Sequence, residues 1–201
     1  MWSRVAAGIA AALWSLFVLP PQVVEWMGPG GAPEWLRVMD LWPGYRAIED
    51  AFAGIGVRDD YALWGVAIVP AMLLAWWAMD RTLRSFGGAG LALSLVWLAV
   101  APVTAVSYLN HADDSPVRLL WGAEAFVLIG AFLLAIIVAF TGRGRPIRRV
   151  TRVLVGCTVV FGVAATLVAG YYPHGTYLGI GVLAALLAAT SRPTATERAA
   201  D

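Results

Sequence analysis

Six stretches of the chain, residues 5–26, 61–79, 90–109, 117–140, 150–170 and 174–190, are built almost wholly from apolar side chains. Each reaches or approaches the roughly 20 residues that a helix needs to cross a hydrocarbon core about 30 Å thick. No other feature restricts the fold as much. Lipid offers the backbone no hydrogen-bond partner, so only helices or closed barrels can satisfy every N–H and C=O internally. Barrel strands would alternate apolar and polar residues, and these runs do not. The expectation is an all-α integral membrane protein, one six-transmembrane-helix bundle in a single domain. Composition agrees. Hydrophobic residues make up 60% of the 201 residues and charged ones 13%, with a mean hydropathy of +0.74. A soluble domain averages about 45–50% and about 25% and needs a polar shell around its core. The same proportions exclude a disordered chain.

Arginine placement sets the expected orientation, because short cytoplasmic segments carry the basic excess. With the N-terminus inside, ten arginines fall on the cytoplasmic side: Arg4, Arg81, Arg84, Arg143, Arg145, Arg148, Arg149, Arg152, Arg192 and Arg198. Only Arg37, Arg46, Arg58 and Arg118 fall outside, where most of the acidic residues also lie. Both termini are therefore expected in the cytoplasm. Aromatic residues fit this arrangement. Trp26, Tyr61, Trp64, Tyr108, Trp121, Tyr171 and Tyr172 mark the outer boundaries and Trp2, Trp76 and Trp77 the inner ones, the depths that amphipathic rings prefer. The first apolar run is longer than that of a secretory signal and shows no small-x-small cleavage site, so it is read as the first span. The fourteen basic residues are all arginine. We read this as the codon bias of a GC-rich genome and place the chain in a bacterial plasma (inner) membrane.

Residues 27–60 form the one sizeable loop, expected outside. It opens with Gly28-Pro29-Gly30-Gly31, which interrupts regular structure. Pro33 is expected to begin a short helix as its first residue. A second, over residues 45–53, places Ile48, Phe52 and Ile55 on one side with Arg46, Glu49 and Asp50 opposite. Such interfacial helices lie flat on the bilayer or cap the bundle, where they would serve as a lid over an outward-facing cavity. Pro20-Pro21, Pro70 and Pro102 predict kinks in the first three spans.

Ionisable groups within the hydrocarbon are costly and point to function by default. Glu124 is the clear instance, about two turns into the fourth span between the small residues Gly122, Ala123 and Ala125. Thr104, Ser107 and Asn110, at the outer end of the third span, are its natural hydrogen-bond partners. The two histidines, His111 and His174, are expected at the outer boundary beside turns. With Glu124, Asp113 and Asp114 they could converge on one outward-facing site, with Trp121, Asn110 and Ser107 lining it. Glu124 with a histidine suits acid–base chemistry, and the same set suits a divalent metal. No HExxH-type pair is present. Two histidines at one face cannot sandwich a haem across the bilayer, and no cofactor is expected.

Other classes are excluded directly. A net charge of +1 opposes nucleic-acid binding, which needs a basic patch or stripe. One cysteine, Cys157, permits neither an internal disulfide nor a thiol redox pair. The arginine loop around residues 143–149 lacks a phosphate-binding glycine–lysine pattern; anionic lipid headgroups suit it. Gly175 and Gly179, and the series Gly162, Thr166 and Gly170, are small-residue faces for close helix approach, within the fold or for self-association. The chain reads first as a carrier or accessory subunit that binds a lipophilic ligand, membrane lipid or another membrane protein through a cavity around Glu124. The alternative is an intramembrane enzyme acting on a lipid or isoprenoid, with Glu124 as acid and His111 or His174 assisting.

Overall fold

The computed structural model of the chain describes residues 2–142 and 149–190, and all regular structure among them is helical. The helices are α1 (Trp2–Gly31), α2 (Glu34–Asp40), α3 (Pro43–Gly54), α4 (Asp60–Ala67), α5 (Val69–Arg84), α6 (Gly88–Leu109), α7 (Ala123–Thr141), α8 (Arg149–Gly156), α9 (Thr158–Ala169) and α10 (His174–Thr190), with a short 3₁₀ turn at Arg118–Leu120. Four segments are long and apolar enough to cross a membrane: Trp2–Gly28, Asp60–Arg84, Gly88–Leu109 and Arg118–Thr141. A fifth is present if α8 and α9, bent by 46° at Cys157, count as one span. The cluster Arg143, Arg145 and Arg148, and the C-terminal Arg192 and Arg198, lie outside the described residues.

The helices end where local chemistry requires it. Asp59 caps α4, its carboxylate accepting from the Ala62 N–H at 2.9 Å. Gly87 adopts φ 73°, a left-handed value open to glycine, and turns the chain from α5 into α6. Gly170, also left-handed at φ 69°, closes α9. Breaks do not always coincide with the prolines. α1 runs unbroken through Pro20-Pro21 and loses helical geometry at Gly28, while α6 runs through Pro102. Only Pro70 sits at an interruption, at Ile68 between α4 and α5.

α10 is the central helix, packed against α1, α9 and α5. Small residues allow this. A Cβ on Gly8 would meet the backbone of Ala185, and one on Gly181 would meet the backbone of Ala12, the close approach that glycine permits between membrane helices. The Gly175 and Gly179 face lies against Thr166, Phe161 and Ala165 of α9, and Gly162 faces Phe132 of α7.

The bundle has two distinct ends. At one, Arg4 donates to the Trp77 carbonyl at 2.8 Å. Asp80, nearby on α5, is bound by Arg84 at 2.6 Å and by the Ser94 hydroxyl. Arg152 donates to the carbonyls of Ala139 and Gly142, also at this end. At the other end Trp26 stacks on Tyr61 and meets Tyr171 and Trp121 at a tilt, with ring centroids 5.7–6.0 Å apart.

The segment between α1 and α4 differs from the expected surface helices. α2 starts at Glu34 with Pro33 as its cap, and α3 runs from Pro43 rather than from residue 45. α2 packs along α1, and α3 turns back from it to meet α1 at Phe17 and α4 at Trp64. Leu36 is buried with Leu19 and Val23 of α1, and Tyr45 donates to the Phe17 carbonyl at 2.8 Å. The inward face of α3 is only partly the expected apolar one. Ile48 packs against the core and Tyr45 and Glu49 are buried beside it, while Phe52 and Ile55 are exposed. Glu49 turns inward because it accepts the Trp64 indole N–H at 3.0 Å and holds Arg46 at 2.6 Å.

Candidate functional site

The Trp26 end encloses a buried polar cluster assembled from five helices and one turn. Its scaffold is α6, which presents Thr104, Ser107 and Tyr108 inward, all essentially inaccessible. The Tyr108 hydroxyl sits at a junction, 2.9 Å from His174 Nδ1 and 3.1 Å from the Tyr171 hydroxyl. Tyr171 continues the chain to Tyr61 of α4 at 3.4 Å. Below this level Thr104 pairs with Tyr177 of α10 at 3.3 Å, and Thr166 pairs with Thr176 at 2.8 Å. Gly65 explains how the Tyr108 ring fits: any Cβ there would collide with it.

Glu124 enters from the first turn of α7. That helix starts at Ala123 because Gly122 adopts φ 82°, and the Gly122 N–H is held by the Ser107 hydroxyl at 2.8 Å. The Glu124 side chain is buried next to Ser107 and close enough to Tyr108, Tyr171, Tyr172 and Tyr177 to act on them electrostatically. Tyr172 fastens the turn before α10 to this corner by donating to the Ala125 carbonyl at 2.7 Å. Burial pushes the Tyr171 and Tyr172 phenols above the usual tyrosine range, so both remain neutral donors.

Three members of the cluster have unused hydrogen-bonding capacity. Glu124 Oε2 and both amide atoms of Gln22 are buried with no partner among the described residues, and His174 Nε2 completes no hydrogen bond although its ring lies against the Gly65 backbone. Gln22 projects from α1 towards the Tyr171 hydroxyl without completing a bond to it. A buried polar group left unpaired costs about 1–3 kcal/mol, and native folds rarely leave such groups unsatisfied. Gln22, Glu124 and His174 stand on three separate helices, α1, α7 and α10. Over the cluster lies an aromatic cover: the Trp26 ring meets that of Trp121 at a tilt, and the Arg118 guanidinium lies 4.1 Å from the Trp121 ring.

The residues singled out in the sequence divide between this cluster and the surface. Glu124, Ser107 and His174 belong to it, and Trp121 belongs to its cover. His174 is fully buried rather than at a boundary, because Tyr108 and Tyr171 enclose it. His111 stays at the rim. Its Nδ1 donates to the Tyr108 carbonyl at 2.9 Å, its Nε2 lies 3.4 Å from the Asp59 carboxylate, and its ring packs on Tyr61. Asn110 binds the Val106 carbonyl of its own helix, Asp113 pairs with Arg118 at the surface, and Asp114 is exposed. Of the three partners expected for Glu124, only Ser107 lies beside it. Among the described residues no three His, Cys, Asp or Glu side chains gather as a metal site requires.

Gln22 and the tyrosines escaped the sequence reading. Gln22 had a legible signal, as an uncharged polar residue inside the first apolar run. Tyr108 and Tyr171 had none, because a tyrosine near a span end reads equally well as a membrane-interface residue. Comparison of the chain with protein-family models, curated proteins and solved structures found no match.

Proposed function

We propose that the protein is a six-span membrane protein that binds the polar head of a lipophilic molecule in the cluster around Glu124, as a carrier or as an accessory subunit. In this reading it lies in a bacterial plasma membrane with both termini in the cytoplasm and the Trp26 end outward. The bent pair α8–α9 serves as the fifth span. α10 serves as the sixth, its 17 residues covering about 26 Å at 1.5 Å per residue. Arg4, Arg84 and Arg152 gather at the opposite end, in keeping with the positive-inside tendency.

The observation that carries the binding reading is the set of unpartnered atoms on Gln22, Glu124 and His174. They offer both donors and acceptors, which suits a head group such as a hydroxyl, carbonyl or carboxyl. The aromatic rings above them suit the apolar body attached to it. Binding is preferred to the enzymatic alternative because His111 is engaged outside the cluster by Asp59 and Tyr108, while His174, the histidine inside it, is fully buried with its Nδ1 held by the Tyr108 hydroxyl.

Replacing Gln22 tests this. In an empty cluster, Gln22→Leu removes two unsatisfied buried atoms and raises stability by about 1–3 kcal/mol. In an occupied cluster it removes ligand contacts, and bound ligand no longer adds its share of stability. The proposal predicts a lower unfolding temperature for Gln22→Leu than for the parent protein in its own membrane lipids. A higher temperature contradicts it.

A further inference from the structure

The α2–α3 hairpin presents its apolar residues in an unexpected direction. Val38, Leu41 and Trp42 at its tip are 62%, 79% and 52% exposed. With Phe17, Met39 and Tyr45 they line an open groove of about 570 Å³ against α1. The depth of this tip follows from its contacts. The Trp42 and Tyr45 rings lie 6.0 and 5.3 Å from that of Phe17. Phe17 stands nine residues before Trp26 in an unbroken helix, about 13 Å nearer the middle of the span. Trp26 belongs to the aromatic group at that end of the bundle, so the tip sits well below it.

The backbone of the tip is suited to an apolar medium. The N–H groups of Leu41, Trp42 and Tyr45 donate to the carbonyls of Val38, Met39 and Trp42 within the turn, and Pro43 has no N–H to satisfy. Charges near the tip are arranged in the same sense. Arg46 binds Glu49 at 2.6 Å and stands 3.9 Å from Asp40, and both carboxylates are largely shielded. The long arginine stem lets its head reach away from an apolar layer.

We propose that the α2–α3 hairpin re-enters the bilayer from the Trp26 end, with Val38, Leu41 and Trp42 immersed among lipid acyl chains that fill the groove beside Phe17. This rests on α1 spanning the membrane. The occupant is lipid hydrocarbon because the groove opens at the depth of the acyl chains and continues the exposed apolar surface of the spans, where Leu13 and Leu133 are similarly uncovered.

Spin labels in a Cys157→Ser background, with the protein in phosphatidylcholine vesicles, test the proposal. Single labels are placed through Leu41→Cys at the tip, Arg58→Cys in the polar turn before α4, and Leu133→Cys on α7. Collision with oxygen and with the water-soluble complex Ni-EDDA is then measured. The expected result is that Leu41 behaves like Leu133, accessible to oxygen with loss of Ni-EDDA contact, while Arg58 is open to Ni-EDDA. A Leu41 label as open to Ni-EDDA as Arg58, with Leu133 dry, overturns the immersed hairpin and leaves the spans intact. A Leu41 label shielded from both reagents overturns it in favour of a protein partner or a second copy. Water access at Leu133 removes the membrane-spanning reading itself.

Discussion

Tyr45 shows how one side chain ties the hairpin to the first span. Its ring meets Phe17, Trp42 and Trp64, and its hydroxyl donates to the Phe17 carbonyl. Tyr45→Phe removes that hydrogen bond and should lower stability by about 0.5–1.5 kcal/mol, read as a lower unfolding temperature in detergent. An unchanged unfolding temperature would mean that the hydroxyl does not help hold the hairpin to α1. At this scale the sequence is legible in part. Glu124 stands out because a carboxylate in an apolar run has few bland explanations, and Ser107 follows from it. Helical patterning places Glu49 outward because it sees only charge. What decides its direction is the Trp64 indole fifteen residues away, a tertiary pairing that no periodicity contains.

Among the elements, the contact between α1 and α10 is the tightest constraint. Gly8 faces Ala185 and Gly181 faces Ala12 at backbone-to-backbone distance, so neither helix can yield to an added methyl by a simple rotamer change. Gly181→Val should cost about 1–3 kcal/mol of stability through overpacking, read as a lower unfolding temperature in detergent. A substitution on the exposed face, such as Leu186→Val, should cost less. An unchanged unfolding temperature for Gly181→Val would show that the two helices are not held so closely. Helix existence was well predicted by the apolar runs, because length and hydropathy alone decide it. Boundaries were less so. The fourth run hides a 3₁₀ turn and a left-handed Gly122 before α7 starts. The fifth hides the 46° bend at Cys157, and apolar composition is indifferent to both.

Taken whole, the molecule is polar at its two ends in different ways. The Arg4 end carries Arg84 and Arg152 with Asp80, whereas the Trp26 end carries the aromatic cover with Asp59, Asp60 and Asp113 near it. The proposed orientation predicts that an impermeant thiol reagent added to intact cells labels Arg58→Cys but not Ser85→Cys, both in the Cys157→Ser background. Labelling of Ser85→Cys alone would invert the topology. Between the ends the cluster of Gln22, Glu124, His174 and three linked tyrosines draws on α1, α4, α6, α7 and α10. Residues so far apart in the chain meet only through the packing of the bundle, so the sequence could nominate members but not the assembly. Native mass spectrometry of protein extracted gently from its own membrane, with Glu124→Gln alongside, tests the binding cluster most directly. The expected result is a stoichiometric adduct of one defined mass on the parent protein that is lost or weakened in the variant; a bare chain, or the same bulk lipids on both proteins, rules the binding cluster out.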